Sequence, residues 1–265
     1  MMRLRTLFLM VFCGISISLS AGDEFCGLRN TAFSAGESVT FSVYYTLAGI
    51  YVWGGDAIFT VGLERLNGKP VYHAIGEGKT NSTFDDFFKV RDRYESFIDT
   101  ALLKPVKFIR NVDEGGYKYY ENVTFNEGSN TATTTKGLFK VTPCIQDVLS
   151  SIYYARNINF NSYKTGDKIP FNMFLDSQTY NLYLRYMGKD IIKTRYGKFH
   201  AIKFKPLLIQ GTMFQGGEGM TVWVSDDPNH IPLRIESPIT IGSVKVDMMR
   251  YRGLRYPLSS IMDVR

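Results

Sequence analysis

The chain has 265 residues, 45% of them hydrophobic, and a formal net charge of +6. That is ample for a sizeable core, in one large domain or two small ones. The charge is modest and dispersed, which argues against a nucleic-acid partner.

Residues 1–21 read as a signal peptide. Arg3 and Arg5 give a positive start, residues 7–17 form an apolar run too short to span a bilayer, and residues 18–22 supply small residues for cleavage. Cys13 and Cys26 each follow Phe, where lipid attachment needs a small residue. Cleavage removes Arg3 and Arg5, takes the charge from +6 to +4, and leaves no transmembrane segment. The mature chain is expected in the periplasm or cell envelope. Cys26 and Cys144 then form an even pair in an oxidising setting, so a disulfide is expected, with two buried thiols as the alternative.

Val39, Phe41, Val43, Tyr45 and Leu47 alternate with Thr40, Ser42, Tyr44 and Thr46, the period of a strand with one apolar face. Gly49 and Gly54-Gly55 are read as breaks. Ala57, Phe59, Val61 and Leu63 make a second strand, and Asn67-Gly68 supplies the positive φ of a tight hairpin into residues 71–78. Phe84, Phe87 and Phe88 at helical spacing predict a short helix, capped by Thr83 with Asp85 and Asp86 in its first turn. Its aromatic face is assigned to the core, with a lid as the alternative. Glu114-Gly115-Gly116 turns into a strand over 117–125, and 131–136 reads as an exposed edge strand. One longer helix is expected over 145–157, with Val148, Leu149, Ile152 and Tyr153 as its apolar stripe. Beyond it come further strands over 171–174, 180–186, 191–194, 199–204, 220–225, 231–236 and 239–251, with Gly188 as a turn and 211–219 as a glycine-rich loop. The 14% of aromatic residues, 17 Tyr and 19 Phe, suit such pleated surfaces.

One motif occurs twice. A strand ends at Asp99 and the next opens at Pro105, with Lys107 two places on; another ends at Asp226 and the next opens at Pro232, with Arg234 two places on. Upstream, Gly36-Glu37-Ser38-Val39-Thr40-Phe41 resembles Gly166-Asp167-Lys168-Ile169-Pro170-Phe171. This predicts an internal duplication of about 33–136 and 160–252, joined by the helix at 145–157. The fold class is mainly antiparallel all-β. Duplicated curved sheets form a sandwich or half-barrels with the central helix packed against them, as a single unit over 22–265.

Catalytic signals are weak. His73, His200 and His230 lack ligand spacing and there is no C-x-x-C pair, so neither a metal nor a cofactor is expected. Asp85, Asp86, Asp99, Glu114, Asp226 and Asp227 are candidates for a carboxylate pair of the kind that hydrolyses glycans. Helix-start and turn roles explain Asp85, Asp86, Asp99 and Asp226, because Asp side chains bond the backbone two residues on. Trp53, Phe84, Phe87, Phe88 and Trp223 are candidates to line an apolar cavity on the concave face that a curved sheet with a helix across it leaves, against a core role for each taken singly.

Cys26-x3-Asn30-x-Ala32-Phe33-x2-Gly36-Glu37 resembles the start of exported bacterial proteins grouped as domain-of-unknown-function family 3108, of the Bacteroidetes type. The resemblance continues through residues 94–105 and through Cys144-x2-Asp147-Val148-x5-Tyr154-x-Arg156-Asn157. It ends with Gly197-x-Phe199 and Val222-Trp223-x3-Asp227 to Pro232, and so spans nearly the whole mature chain. It implies a signal-bearing bacterial envelope protein. The run Trp223, Asp226, Ile231, Pro232 and Arg234 is also similar to a motif of envelope lipoprotein-carrier half-barrels, which wrap a curved sheet around a helix and hold acyl chains inside. The leading expectation is a non-enzymatic protein that holds an apolar or amphipathic ligand, or an envelope protein, on a concave sheet surface. A glycan-active enzyme and a structural adaptor are the alternatives.

Overall fold

Period-two patterning runs through most of the chain, and it is answered by one sheet. The computed structural model describes residues 26–47, 50–210, 216–239 and 242–264. The proposed signal peptide, Gly49 and residues 211–215 of the glycine-rich loop lie outside the described residues. The first half contains β1 (Ser38–Leu47), β2 (Ile50–Leu66), β3 (Lys69–Thr80), α1 (Ser82–Phe88), β4 (Arg91–Asp99), β5 (Pro105–Glu114), β6 (Tyr117–Asn126), β7 (Thr131–Thr134) and β8 (Gly137–Lys140). After α2 (Val148–Ala155) come β9 (Lys168–Leu175), β10 (Gln178–Lys193), β11 (Gly197–Pro206), β12 (Thr221–Ser225), β13 (Pro232–Pro238), β14 (Ser243–Arg252) and β15 (Ile261–Val264).

All named strands join one antiparallel sheet. Its path is β8-β7-β6-β5-β4-β3-β2-β1-β14-β13-β12-β11-β10-β9, with β15 added to β11. The β1–β14 pairing, from Ser38↔Arg252 to Thr46↔Ser243, stitches two meanders together. The hydrogen-bonded path is not closed. Its two ends nevertheless meet through side chains: Phe108, Val123, Phe125 and Ala132 from one end pack with Ile145 and with Phe174 of β9. Arg110 also pairs with Asp176 there.

Helix α2 sits in the curve of the sheet. Tyr153 and Tyr154 share a core with Val61, Ala74, Ile98, Phe171, Leu184, Ile202 and Val224, so strands of both halves converge on the helix. On the opposite face of β12, Trp223 joins a second core with Phe41, Phe199, Leu233, Met248 and Leu258. Burial on both faces explains why the middle of β12, Val222-Trp223-Val224, is an unbroken apolar run.

Several expectations are corrected. The Gly54-Gly55 pair lies within β2 and accommodates a bulge opposite Val43 and Tyr44; a Cβ on Gly55 would stand 2.1 Å from the Lys79 carbonyl oxygen. Gly188, at φ 91°, lies within β10 at a bulge between Tyr186 and Lys189, so two expected strands are one. The expected edge strand β7 is covered by β8, and β15 follows the strand expected to end the sheet. The helix over 145–157 is shorter, because the Gln146 backbone bonds the β9 strand at Asn172 and Phe174 before the helix begins. The Asn67-Gly68 turn is as expected, at φ 51° and 79°. Cys26 and Cys144 form a disulfide, their Cα atoms 5.3 Å apart.

Candidate functional site

The aromatic candidates divide between two places. Trp53 stands beside α1. Asn81, and not Thr83, caps that helix by accepting from the Phe84 N–H at 2.8 Å, and its side-chain amide donates to the Trp53 carbonyl at 2.7 Å. Phe84 lies over Gly54 and against Tyr45, at 5.9 Å between ring centroids. Phe88 lies over Gly115 in the β5–β6 turn. Yet α1 buries no residue completely, and Phe87 is 81% exposed. The core assignment for this aromatic face is therefore corrected: a helix of seven residues, about two turns, is too short to submerge both sides. Ile50, Tyr51, Val52 and Trp53 are also exposed, Ile50 at 67%. The β1–β2 end, α1 and the β5–β6 turn thus form an apolar rim at one end of the sheet. Large exposed apolar patches of this kind mark contact surfaces.

Trp223 is elsewhere. It is buried in the second core, its indole N–H donates to Asp190 at 3.0 Å, and Lys203 sits over its ring. It is a packing residue there and does not join Trp53.

The carboxylates have assigned partners. Asp85 pairs with Arg91 at 2.6 Å and accepts from the Thr80 hydroxyl; the Arg91 guanidinium, then Thr80, hold its pKa down to about 2. Asp86 is exposed on α1. Asp99 accepts from the Ala101 and Leu102 N–H groups at 2.9 and 2.8 Å. In the second corner Asp226 pairs with Lys189 at 2.9 Å, while Asp227 does the turn bonding. Asp227 accepts from Ser225, from the backbone and side chain of Asn229, and from the Ser260 N–H. Glu114 lies against Asp92, a pairing across β4 and β5 that spacing along the chain does not reveal. Burial first, then the Glu114 charge, push the Asp92 pKa up to about 7. The two carboxyls are in direct contact. They leave no room between them for a sugar oxygen, which glycoside hydrolysis needs at separations of roughly 5–9.5 Å.

The two corners share one geometry. Phe97 pairs with Lys107 and Ile98 with Pro105 across a bulge; Trp223 pairs with Arg234 and Val224 with Pro232 across another. Leu103 and His230, each two residues before the proline, have positive φ of 54° and 44°. The upstream turns match too: Gly36 N–H bonds the Val61 carbonyl as Gly166 N–H bonds the Tyr186 carbonyl, both at 2.8 Å.

The remaining motif residues anchor α2. Asp147 caps the helix through a reciprocal pair of bonds with Ser150 and accepts from Ser96 at 2.6 Å. Its burial pushes its pKa up to about 7. Tyr154 accepts from the Leu28 N–H at 3.0 Å, and Asn157 accepts from Thr31 and Ala32 N–H groups. Arg156 is bidentate to buried Glu37 at 2.5 and 2.9 Å and donates to the Asn229 carbonyl. His230 Nδ1 donates to the Arg156 carbonyl at 2.7 Å, and burial lowers its pKa. Of the other histidines, His73 lies between Glu64 and Glu95, at 2.8 and 2.9 Å, and His200 is exposed on β11.

No curated protein matches the sequence. A structure from Brucella abortus, a beta-barrel-like protein of domain of unknown function DUF1849, aligns with TM-score 0.56 at 7% identity, over 85% of this chain and 98% of that one. That likeness is one of fold. A candidate exported protein with a YmcC-like fold from Bacteroides fragilis aligns at TM-score 0.35 and 9% identity, over 85% and 99% of the two chains. A candidate lipoprotein from Parabacteroides distasonis aligns at 0.36 and 11%, over 84% and 100%. A family model described as protein of unknown function (DUF3108) matches residues 40–249, most of the chain, and the protein belongs to that family.

Proposed function

We propose that this is an exported, non-enzymatic envelope protein that binds an amphipathic, lipid-like ligand along the rim of its sheet. The observation that carries the reading is the exposed set Ile50, Tyr51, Val52, Trp53, Phe87 and Phe88 around α1. The apolar run and small residues of 1–22 support export, and among the described residues no helix is long and apolar enough to cross a membrane. The curve of the sheet is filled by α2 and its packed tyrosines. The ligand therefore lies on the rim, unlike the enclosed acyl chain of a half-barrel carrier. The test is flotation of purified protein with vesicles of envelope lipid. Wild type should float, and a Trp53→Ala/Phe87→Ala variant of unchanged fold should float several-fold less. Equal recovery of both in the unbound fraction sinks the reading.

We also propose that residues 33–136 and 160–252 descend from one duplicated unit within a single domain. The matching bulges, positive-φ positions and glycine turns support this, as does the equivalence in pairing order of β1–β6 with β9–β14. An experimental structure should let one rotation carry the first six strands onto the second six. Failure of any such superposition removes the duplication.

A further inference from the structure

On the sheet face away from α2, a cavity of about 310 Å³ lies between β1, β2, β13, β14 and the tip of the β10–β11 hairpin. Four cations line it, Lys193, Arg195, Arg234 and Lys245, with Asp247 as the one acid, a balance of +4 − 1 = +3. Arg234 is neutralised by Asp247, bidentate at 2.6 and 2.9 Å. Lys245 has only a distant acid, Glu236 at 3.9 Å, outside the lining. Lys193 and Arg195 have no carboxylate within ion-pair distance among the described residues. Two tyrosines hold the cations in place: Arg195 lies over Tyr44 at 4.6 Å, and Lys245 over Tyr51 at 5.1 Å. Across from Tyr51, the buried Thr46 hydroxyl has no hydrogen-bond partner.

Like charges gathered in a concave site repel, and the low-dielectric walls strengthen that field and draw in anions. A solvated cationic face would spread such side chains outward; here they are stacked on aromatic walls around a space large enough for a small polar group. We infer that this pocket is an anion site that takes a phosphate-type oxyanion. Arg195 and Lys193 are its donors from the hairpin tip, Lys245 its charge on the sheet, and Tyr51 its link to the exposed Ile50 and Val52. The inference deepens the rim reading, since an amphiphile with an anionic head would place the head here and its chains on the rim. The pocket chemistry stands without the chains.

The test titrates purified protein with inorganic phosphate by calorimetry, and separately floats it with phosphatidylglycerol or phosphatidylcholine vesicles. Lys193→Ala/Arg195→Ala is the variant. Both residues are exposed at a hairpin tip, and circular dichroism checks its fold. Lys118→Ala, a distant exposed cation, is the control. Phosphate binding that weakens about tenfold or more in the double variant, and falls with salt, supports the site with a free anion as occupant. Binding confined to phosphatidylglycerol vesicles and lost in the double variant supports it with a lipid headgroup as occupant. Phosphate binding without vesicle binding keeps the pocket and removes the rim reading. Vesicle binding indifferent to headgroup charge and to the double variant, or no response to either probe, overturns the pocket.

Discussion

The two acid-to-proline corners have the same backbone and different surroundings. At the β4–β5 corner, Asp99 bonds two N–H groups of its own turn, and Ala101 and Leu102 are exposed. At the β12–β13 corner, Asp227 and Asn229 are buried, bound to residues 256–260, and roofed by Arg156 of the helix end. One geometry thus serves as a plain turn in one half and as the anchor for α2 and the C-terminal segment in the other. A repeated motif in a sequence reports a shared bend; what packs on each copy decides how much stability rests on it.

The largest expected effect breaks the anchored corner from the helix side. Arg156→Ala leaves Glu37 buried without its partner, which costs about 3–5 kcal/mol when one member of a buried pair is removed. Urea denaturation should show it, and Glu37→Gln in the same background should recover part of the loss. Next, Asp227→Ala should cost about 3 kcal/mol, because it strands several buried donors, against about 1 kcal/mol for Asp99→Ala, where water can replace the lost acceptor. Equal losses at the two corners would mean that both bear the same load.

A pH-dependent contrast concerns the other end of β4. Asp92 is raised from 3.8 to about 7, while the matching place in the second half, seven residues before Asp226, is Gly219. Between those two pH values the folded state keeps a proton that the unfolded chain has lost, so this group's contribution falls as pH rises from about 4 to 7 and stays low above. Asp147 acts with the same sign. His230, whose pKa is lowered, acts with the opposite sign below its ordinary 6.5. Comparing Asp92→Asn with wild type cancels both. The variant should gain stability relative to wild type at pH 8 and lose that gain near pH 4, read as urea midpoints.

Much of the fold was legible in the sequence because period-two patterning, Asn67-Gly68 and the paired cysteines are local or nearly unambiguous signals. Gly54-Gly55 and Gly188 misled because a glycine marks a bulge and a turn alike, and only the register with a neighbouring strand separates them. β8 and β15 are four residues each, too short to show a period. Phe84, Phe87 and Phe88 announced a helix, but spacing says nothing about which face a fold covers. The Asp92–Glu114 contact and the cationic pocket join residues from separate strands. The pocket draws on both chain halves, so no single stretch displays it.

The seam between β1 and β14 bears on how the molecule is made. Ser38 waits for Arg252, and pairings of such wide separation slow folding because the intervening loop must close before the contact repays it. Until the final long strand arrives, β1 presents a bare backbone edge beside Val39 and Phe41, a template for pairing with another chain. Newly made molecules are therefore vulnerable to mutual association over most of their synthesis, and a factor that shields that first edge would raise the yield of folded protein.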